Sequence, residues 1–317
     1  MTDGCGCDGG PVPACGRRGV SDLQVLTDLA PGPCRPLTTR LADLVDHLQL
    51  LDGATAVTSG HGAALASRSP YAAPTTVGGA LLTSGTVLRA APGVVATALA
   101  VDPGPSVHLT QPAAASVDLF DPSGRRLHQA RLGAPEDLRV LDSLGPPSPS
   151  AAGDDAPVRL VPPVASPPGC ADQIDLVDSH LTDRRGARLR ALMGHDGEHA
   201  RPVEVAGLEQ LLAGVAELGL RPTFVVTSGL QQSHTGRIEA IGRAGRTLRL
   251  RSGPAVLAVS TTAVHRMWIS RATGPHGPTS AVELFDAEGT ALVLITLVGH
   301  HPVAAHRAWE ELLDRTA

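Results

Sequence analysis

The chain has 317 residues, of which 42% are hydrophobic, and a formal net charge of −5; that is enough for two domains with real cores. It contains no lysine, so all 26 basic residues are arginine and any anion site must use Arg or His. Aromatic residues make up 2% with no basic, aromatic-studded stretch, which argues against a nucleic-acid partner; no run approaches the roughly 18 apolar residues of a membrane helix, and the first residues lack the apolar core of a signal peptide, so a cytoplasmic protein without membrane insertion is expected.

Residues 1–18 form a Gly-rich tail carrying Cys5, Cys7 and Cys15, open to two readings: a flexible segment with incidental thiols, or a soft-metal ligand set. With Cys34 and Cys170 the cysteine count is odd, which argues against a disulfide framework. Val20–Leu29 and Leu37–Leu51 have helical spacing, the second with Leu41, Leu44, Val45, Leu48 and Leu51 on one face and Thr38 or Thr39 as cap. Short β-like runs follow at Thr55–Thr58, Thr76–Val87 and Val94–Val101, then a hairpin at Val117–Leu132. Residues 145–169 are rich in Pro, Gly and Ser and read as a linker.

Beyond the linker the order repeats. Ile174–Leu192 is helical in parts and Val205–Leu218 is a helix with an apolar face. Thr223–Thr227, Arg237–Ile241, Thr247–Leu250, Val256–Val259 and Met267–Ser270 read as strands, followed by a hairpin at Val282–Leu297 and a closing helix at Val303–Thr316. The two hairpins share the wording V-acidic-L-F-D-x-x-G, with Phe120 and Phe285 in register. Leu23-x-x-Leu26 matches Leu189-x-x-Leu192, Arg35-Pro36-Leu37 matches Arg201-Pro202-Val203, and Val57–Gly60 matches Val226–Gly229. Matches in one order with nearly constant offset indicate a tandem duplication. The fold class is therefore α+β: a first copy at 19–144 and a second at 170–317, each a helical lead-in plus a large antiparallel sheet, with a ligand cleft between them. Edge strands of the two copies are free to pair. The second hairpin fixes the register and is expected to carry no chemistry itself.

A duplicated scaffold with one site must break its own symmetry. His180, just past the linker, has no histidine counterpart in the first copy, and Arg89, inside an apolar strand pattern, corresponds to Ala258. The plainer reading is a capping or surface histidine and an edge-strand arginine, since most polar residues are solvated. His195-x-x-x-His199 has i,i+4 spacing but sits among glycines; His300-His301 points its rings apart, and His276 lies in a Gly/Pro loop. H-E-x-x-H, CxxC, Gly-x-Ser-x-Gly and a phosphate loop are all absent, so no zinc or nucleophile arrangement follows from spacing.

Met267-Trp268-Ile269-Ser270-Arg271, then Pro278–Phe285 and Asp286–Gly289, resemble the closing block of the bacterial hemin-degrading factor family, the haem-utilisation proteins of the HemS, HmuS and ChuS type. Gly229–Glu239, Ala187–Leu192, Ala200–Val203 and Trp309 resemble further segments of that family. The resemblance implies a haem cleft between the halves. It implies His180, in Val177-Asp178-Ser179-His180, as iron ligand, and Arg89 over the other haem face. Arg188 and Arg271 fall on basic positions suited to haem propionates, and His301 stands where the family has an arginine. The family's Arg-Lys-Pro after Ser270 reads Arg271-Ala272-Thr273 here, and its R-N-E block reads Ser59-Gly60-His61-Gly62, which thins the propionate set. The resemblance further implies haem as ligand or substrate, degraded with an external reductant or delivered by a non-enzymatic carrier, and a haem importer, a degrading enzyme or a reductase as partner; the departures leave open a paralogue that has lost haem and handles another metal or tetrapyrrole.

Overall fold

A computed structural model describes residues 20–30, 32–37, 44, 47–72, 86–90, 93–102, 114–134, 136–143, 173–181, 186–194, 197, 199–274, 277–298 and 301–316. The Cys-bearing tail, the Thr38 and Thr39 caps, most of Thr76–Val87, the linker, Cys170, His195, His276 and His300 lie outside the described residues.

The first copy contributes α1 (Asp22–Leu29), β1 (Cys34–Pro36), β2 (Thr55–Ser59), β3 (Ala63–Ser67), β4 (Val87–Ala90), β5 (Thr97–Val101), β6 (Ser116–Phe120), β7 (Arg126–Arg131) and α2 (Asp137–Ser143). The second contributes α3 (Gln173–Leu181), α4 (Ala187–Met193), β8 (Ala200–Val203), α5 (Leu208–Glu217), β9 (Thr223–Thr227) and β10 (Leu230–Thr235). It continues with β11 (Ala240–Ala244), β12 (Thr247–Ser252), β13 (Ala255–Ser260), β14 (Arg266–Gly274), β15 (Gly277–Phe285), β16 (Ala291–Thr296) and α6 (Val303–Asp314).

Two antiparallel sheets result, ordered β1-β5-β6-β7-β2-β3-β13-β12-β11 and β4-β10-β9-β16-β15-β14-β8. Each is six strands of one copy completed by the other. β3 pairs with β13 with Ala64 opposite Ala258, and β10 pairs with β4 with Gln231 opposite Arg89. The exchange is thus reciprocal, and Arg89 and Ala258 occupy corresponding places in it.

The duplication reaches the details. Both hairpins shift register at the same point, between Leu119 and Phe120 and between Leu284 and Phe285. Gly124 and Gly289 take positive φ, 77° and 84°, where a side chain would strain the turn. Each turn also seats a helix: a Cβ on Gly124 would lie 2.7 Å from Ser21 Oγ at the start of α1, and one on Gly289 3.0 Å from Leu189 of α4.

One core joins the sheets, with Leu65 and Leu257 packed in the same cluster as Phe224, Val293 and Trp309. A second, in the first copy, holds Leu44, Leu48 and Leu51 with Val117, Leu119 and Leu127, as the apolar face of that segment requires. The strand expected at Arg237–Ile241 starts instead at Ala240. The chain turns at Gly236, where a Cβ would collide with Ser252 Oγ, and Ile238 alone there is buried. β10 was not anticipated, because Gln231, Gln232, Ser233 and His234 are polar yet all buried. Among the described residues no helix is long and apolar enough to cross a membrane.

The first-copy core also contains a polar chain absent from the second: His128, whose counterpart is Val293, bonds Tyr71 Oη through Nε2 at 2.9 Å and Thr58 Oγ1 through Nδ1 at 2.8 Å. Burial pushes the imidazole down to about 3. The unfolded chain takes up a proton below about pH 6.5 while the folded one does not until about 3. Stability from this group is therefore complete above the unfolded value and falls as pH drops between the two. Lowering pH from 7 to 5 should remove about 2 kcal/mol more from the wild type than from His128→Gln, measured by urea unfolding at each pH.

Candidate functional site

Directly opposed residues of antiparallel strands share a face. On that rule Arg89, Gln231 and Thr227 lie on one face of the seven-stranded sheet. Val225, Leu294, Glu283 and Trp268 form the neighbouring row of the same face. Helices α3 and α4 cover it. Leu176 and Val177 of α3 pack on Val225, Ala281 and Leu294, while Leu189 and Leu192 of α4 pack on Trp268 and Phe285. Gln231 Nε2 donates to Val177 O at 2.6 Å, tying α3 to the row that starts at Arg89.

His180 sits in the last turn of α3, 1% exposed. Its ring stacks on Phe285, centroids 6.2 Å apart. Its Nε2 is 2.6 Å from Glu283 Oε2; an ionised carboxylate only accepts, so Nε2 carries the proton. Its Nδ1 is buried and has no hydrogen-bond partner among the described residues. Glu283 is fully buried and also takes Arg188 Nε at 2.9 Å, Arg188 Nη2 at 2.7 Å and the Ser270 hydroxyl. Burial alone would push its carboxyl up. The adjacent Arg188 and His180 and their hydrogen bonds outweigh burial and hold it well below the usual carboxylate range.

The first copy has the same carboxylate in another setting. Asp118, at the position matching Glu283, is buried and accepts from Ser116 Oγ at 2.6 Å and Gln129 Nε2 at 2.9 Å, with Arg126 Nε 2.9 Å away as ion-pair partner. No histidine reaches it in the bonds described, and burial prevails over the Arg126 charge, so its carboxyl is raised.

The remaining sequence candidates are dispersed. Arg89 is half-buried on β4, four strands from Glu283 in the sheet order, which at about 4.8 Å per strand puts their backbones about 19 Å apart. Arg188 is spent on Glu283. Arg271 is exposed and opposes Ser280, whose backbone N–H and hydroxyl bond Glu310 of α6. That is the face of the sheet opposite His180. His301 is half-buried, its Nε2 3.0 Å from Val298 O and its ring edge-on to His306.

A cavity of about 140 Å³ adjoins His180 and Leu181 between the copies, with Gly60, His61 and Arg125 on one side and Thr227, Gly229 and Thr290 on the other. Arg125 spans the junction, Nη2 donating to Ser228 O at 3.0 Å and Nη1 to His61 Nε2 at 3.0 Å. Sequence reasoning missed Arg125, His61 and above all Glu283, having assigned the second hairpin no chemistry. One signal was available for Glu283. β16, next to it, is apolar at nearly every position, which marks both faces of the sheet as covered, and a buried acid there needs a cation. Among the described residues no group of three or more His, Cys, Asp or Glu could hold a metal ion.

Residues 185–316 match the haemin-degrading HemS.ChuX domain family. The fold resembles that of PhuS, a haem-binding protein from Pseudomonas aeruginosa, in its apo and holo forms, at 20% identity over 94% of this chain and 91% of that one, TM-score 0.72. It also resembles the haem-degrading enzyme ChuS of Escherichia coli O157:H7, at 15% identity over 89% and 86%, TM-score 0.70. At those identities the likeness is one of fold. No curated protein matches the sequence. Residues 185–316 thus carry a HemS-like domain, and over nearly its whole length the chain has the fold of PhuS and ChuS.

Proposed function

We propose that this protein binds haem in the cytoplasm as part of haem utilisation, either degrading it or delivering it, with His180 as the iron donor and Arg89 on the same sheet face as the polar group opposite. One observation carries the reading: a buried histidine, its ring nitrogen held by an anchored carboxylate, at the junction of the two copies. Glu283 holds this imidazole in one orientation, and a neutral imidazole nitrogen released from it is a good iron donor.

The donors fit haem in kind. The space does not yet fit it: about 140 Å³ beside His180 is below the roughly 300–1,000 Å³ of small-molecule sites, so binding requires α3 and the cavity wall to part. Bound haem would supply a redox-active iron, with the reductant coming from a partner. The chain's own part is to donate the imidazole, to exclude water with the α3 face, and to present the Arg89 guanidinium, which donates hydrogen bonds and cannot ligate. Arg188 is engaged by Glu283 and Arg271 lies on the far face. Among the described residues the two arginines expected to meet propionates are thus engaged or turned away, which favours exchangeable binding and keeps a non-enzymatic carrier as the second reading.

Titrating the protein with hemin should give a saturable Soret shift that His180→Ala abolishes or moves to a different wavelength. No shift in the wild type would overturn the haem reading, and an unchanged shift in the variant would remove His180 as ligand. Decay of the Soret band on adding reductant, with release of iron, identifies degradation; a stable band identifies delivery.

A further inference from the structure

We infer that Glu283 is a positioning residue for His180: clamped by Arg188 and Ser270, it holds the imidazole turned into the fold, and His180 must leave it before Nε2 can meet a ligand. What the released imidazole takes up rests on the haem reading; the holding itself is in the present geometry.

Glu283 receives four donors, two on each oxygen. Three of them, from Arg188 and Ser270, fix the carboxylate whether or not His180 is present, and Arg188 balances its charge. His180 is the removable donor. The first copy bears this out, because Asp118 at the matching position is satisfied by Ser116, Gln129 and Arg126 with no histidine. Nε2 is the nitrogen that faces Glu283. Nδ1 lies next to the bond to Cβ, so the α3 backbone shields it from any flat macrocycle. A planar ligand therefore needs Nε2, and Nε2 is taken and protonated; on release its proton must pass through solvent to Nδ1, which leaves the Nε2 lone pair free to donate. The separation in sequence, 180 against 283, places the two partners on a helix and a strand that can part without breaking either element.

The test uses protein with ¹⁵N-labelled histidine as wild type, Glu283→Asp and Glu283→Gln. Aspartate withdraws the carboxylate by about 1.5 Å, one carbon–carbon bond. It keeps a charge for Arg188, and the first copy already carries it at this position, so this variant remains informative should the glutamine variant fail to fold. In the wild type without hemin the His180 Nε2–H should resonate as a single, slowly exchanging proton. In Glu283→Asp it should exchange rapidly with water, and stopped-flow Soret association with hemin should accelerate on the order of tenfold, the equivalent of one lost charge-assisted hydrogen bond. Unchanged exchange with an unchanged association rate, or slower association in the variant, would overturn the inference. Rapid exchange with no Soret shift in any of the proteins would keep the holding role and sink the haem reading instead.

Discussion

Glu283→Ala is expected to lower the unfolding free energy by about 3–5 kcal/mol, read from urea denaturation at neutral pH. The side chain is 0% exposed and its partners Arg188 and His180 are 10% and 1% exposed. Truncation would remove the carboxylate that a guanidinium almost out of water bonds with two nitrogens, and would orphan the His180 and Ser270 donors as well. The size of the loss comes from breaking the pair around a buried cation, since an intact buried pair often contributes little beyond an apolar replacement. Asp118→Ala in the first copy should be milder, because Arg126 is 30% exposed and can turn to solvent. Removing the surface partner Glu209 from Arg243, both about half exposed, should change stability by less than about 1 kcal/mol. An equal loss for all three would show that burial of the cation is not what sets the scale.

Much of this fold was legible in the sequence because it is written twice. The hairpin wording gave the offset, the offset aligned helices and strands over both copies, and the shared bulge and positive-φ glycines follow from the same wording. Helices α5 and α6 were readable from one-sided apolar spacing. β10 was not, since its glutamines, serine and histidine are buried between covering layers and show no alternation. In the site, asymmetry singled out His180 and Arg89. It could not reveal Glu283 as the partner of His180, because an acidic residue stands in both copies and differs only in what reaches it. Nor could it show that Arg188 points at that acid, or that the strand parity of β14 sends Arg271 to the other face. Long-range pairings leave no local pattern. Parity does, but only once the covered face is known.

Ala258→Pro is the second large effect expected, and it tests whether the copies fold as one unit. Ala258 sits in the middle of β13, paired on one side with Arg249 of its own copy and on the other with Ala64 of the first. Proline there removes a ladder donor, leaves its carbonyl partner unsatisfied at about 1–3 kcal/mol, and wedges a ring into a central strand; a total of about 3 kcal/mol or more follows. The informative part is which probes move. Trp268 and Trp309 are both in the second copy, and Tyr71, the sole tyrosine, is in the first. Since β3–β13 and β4–β10 stitch the copies at two places and one core spans both sheets, tryptophan fluorescence and tyrosine absorbance should shift to the same lower midpoint in a single transition. If the tryptophan signal alone moved while tyrosine kept its wild-type midpoint, each copy would be its own cooperative unit. The exchanged strands would then be a contact between finished domains rather than part of what makes them fold.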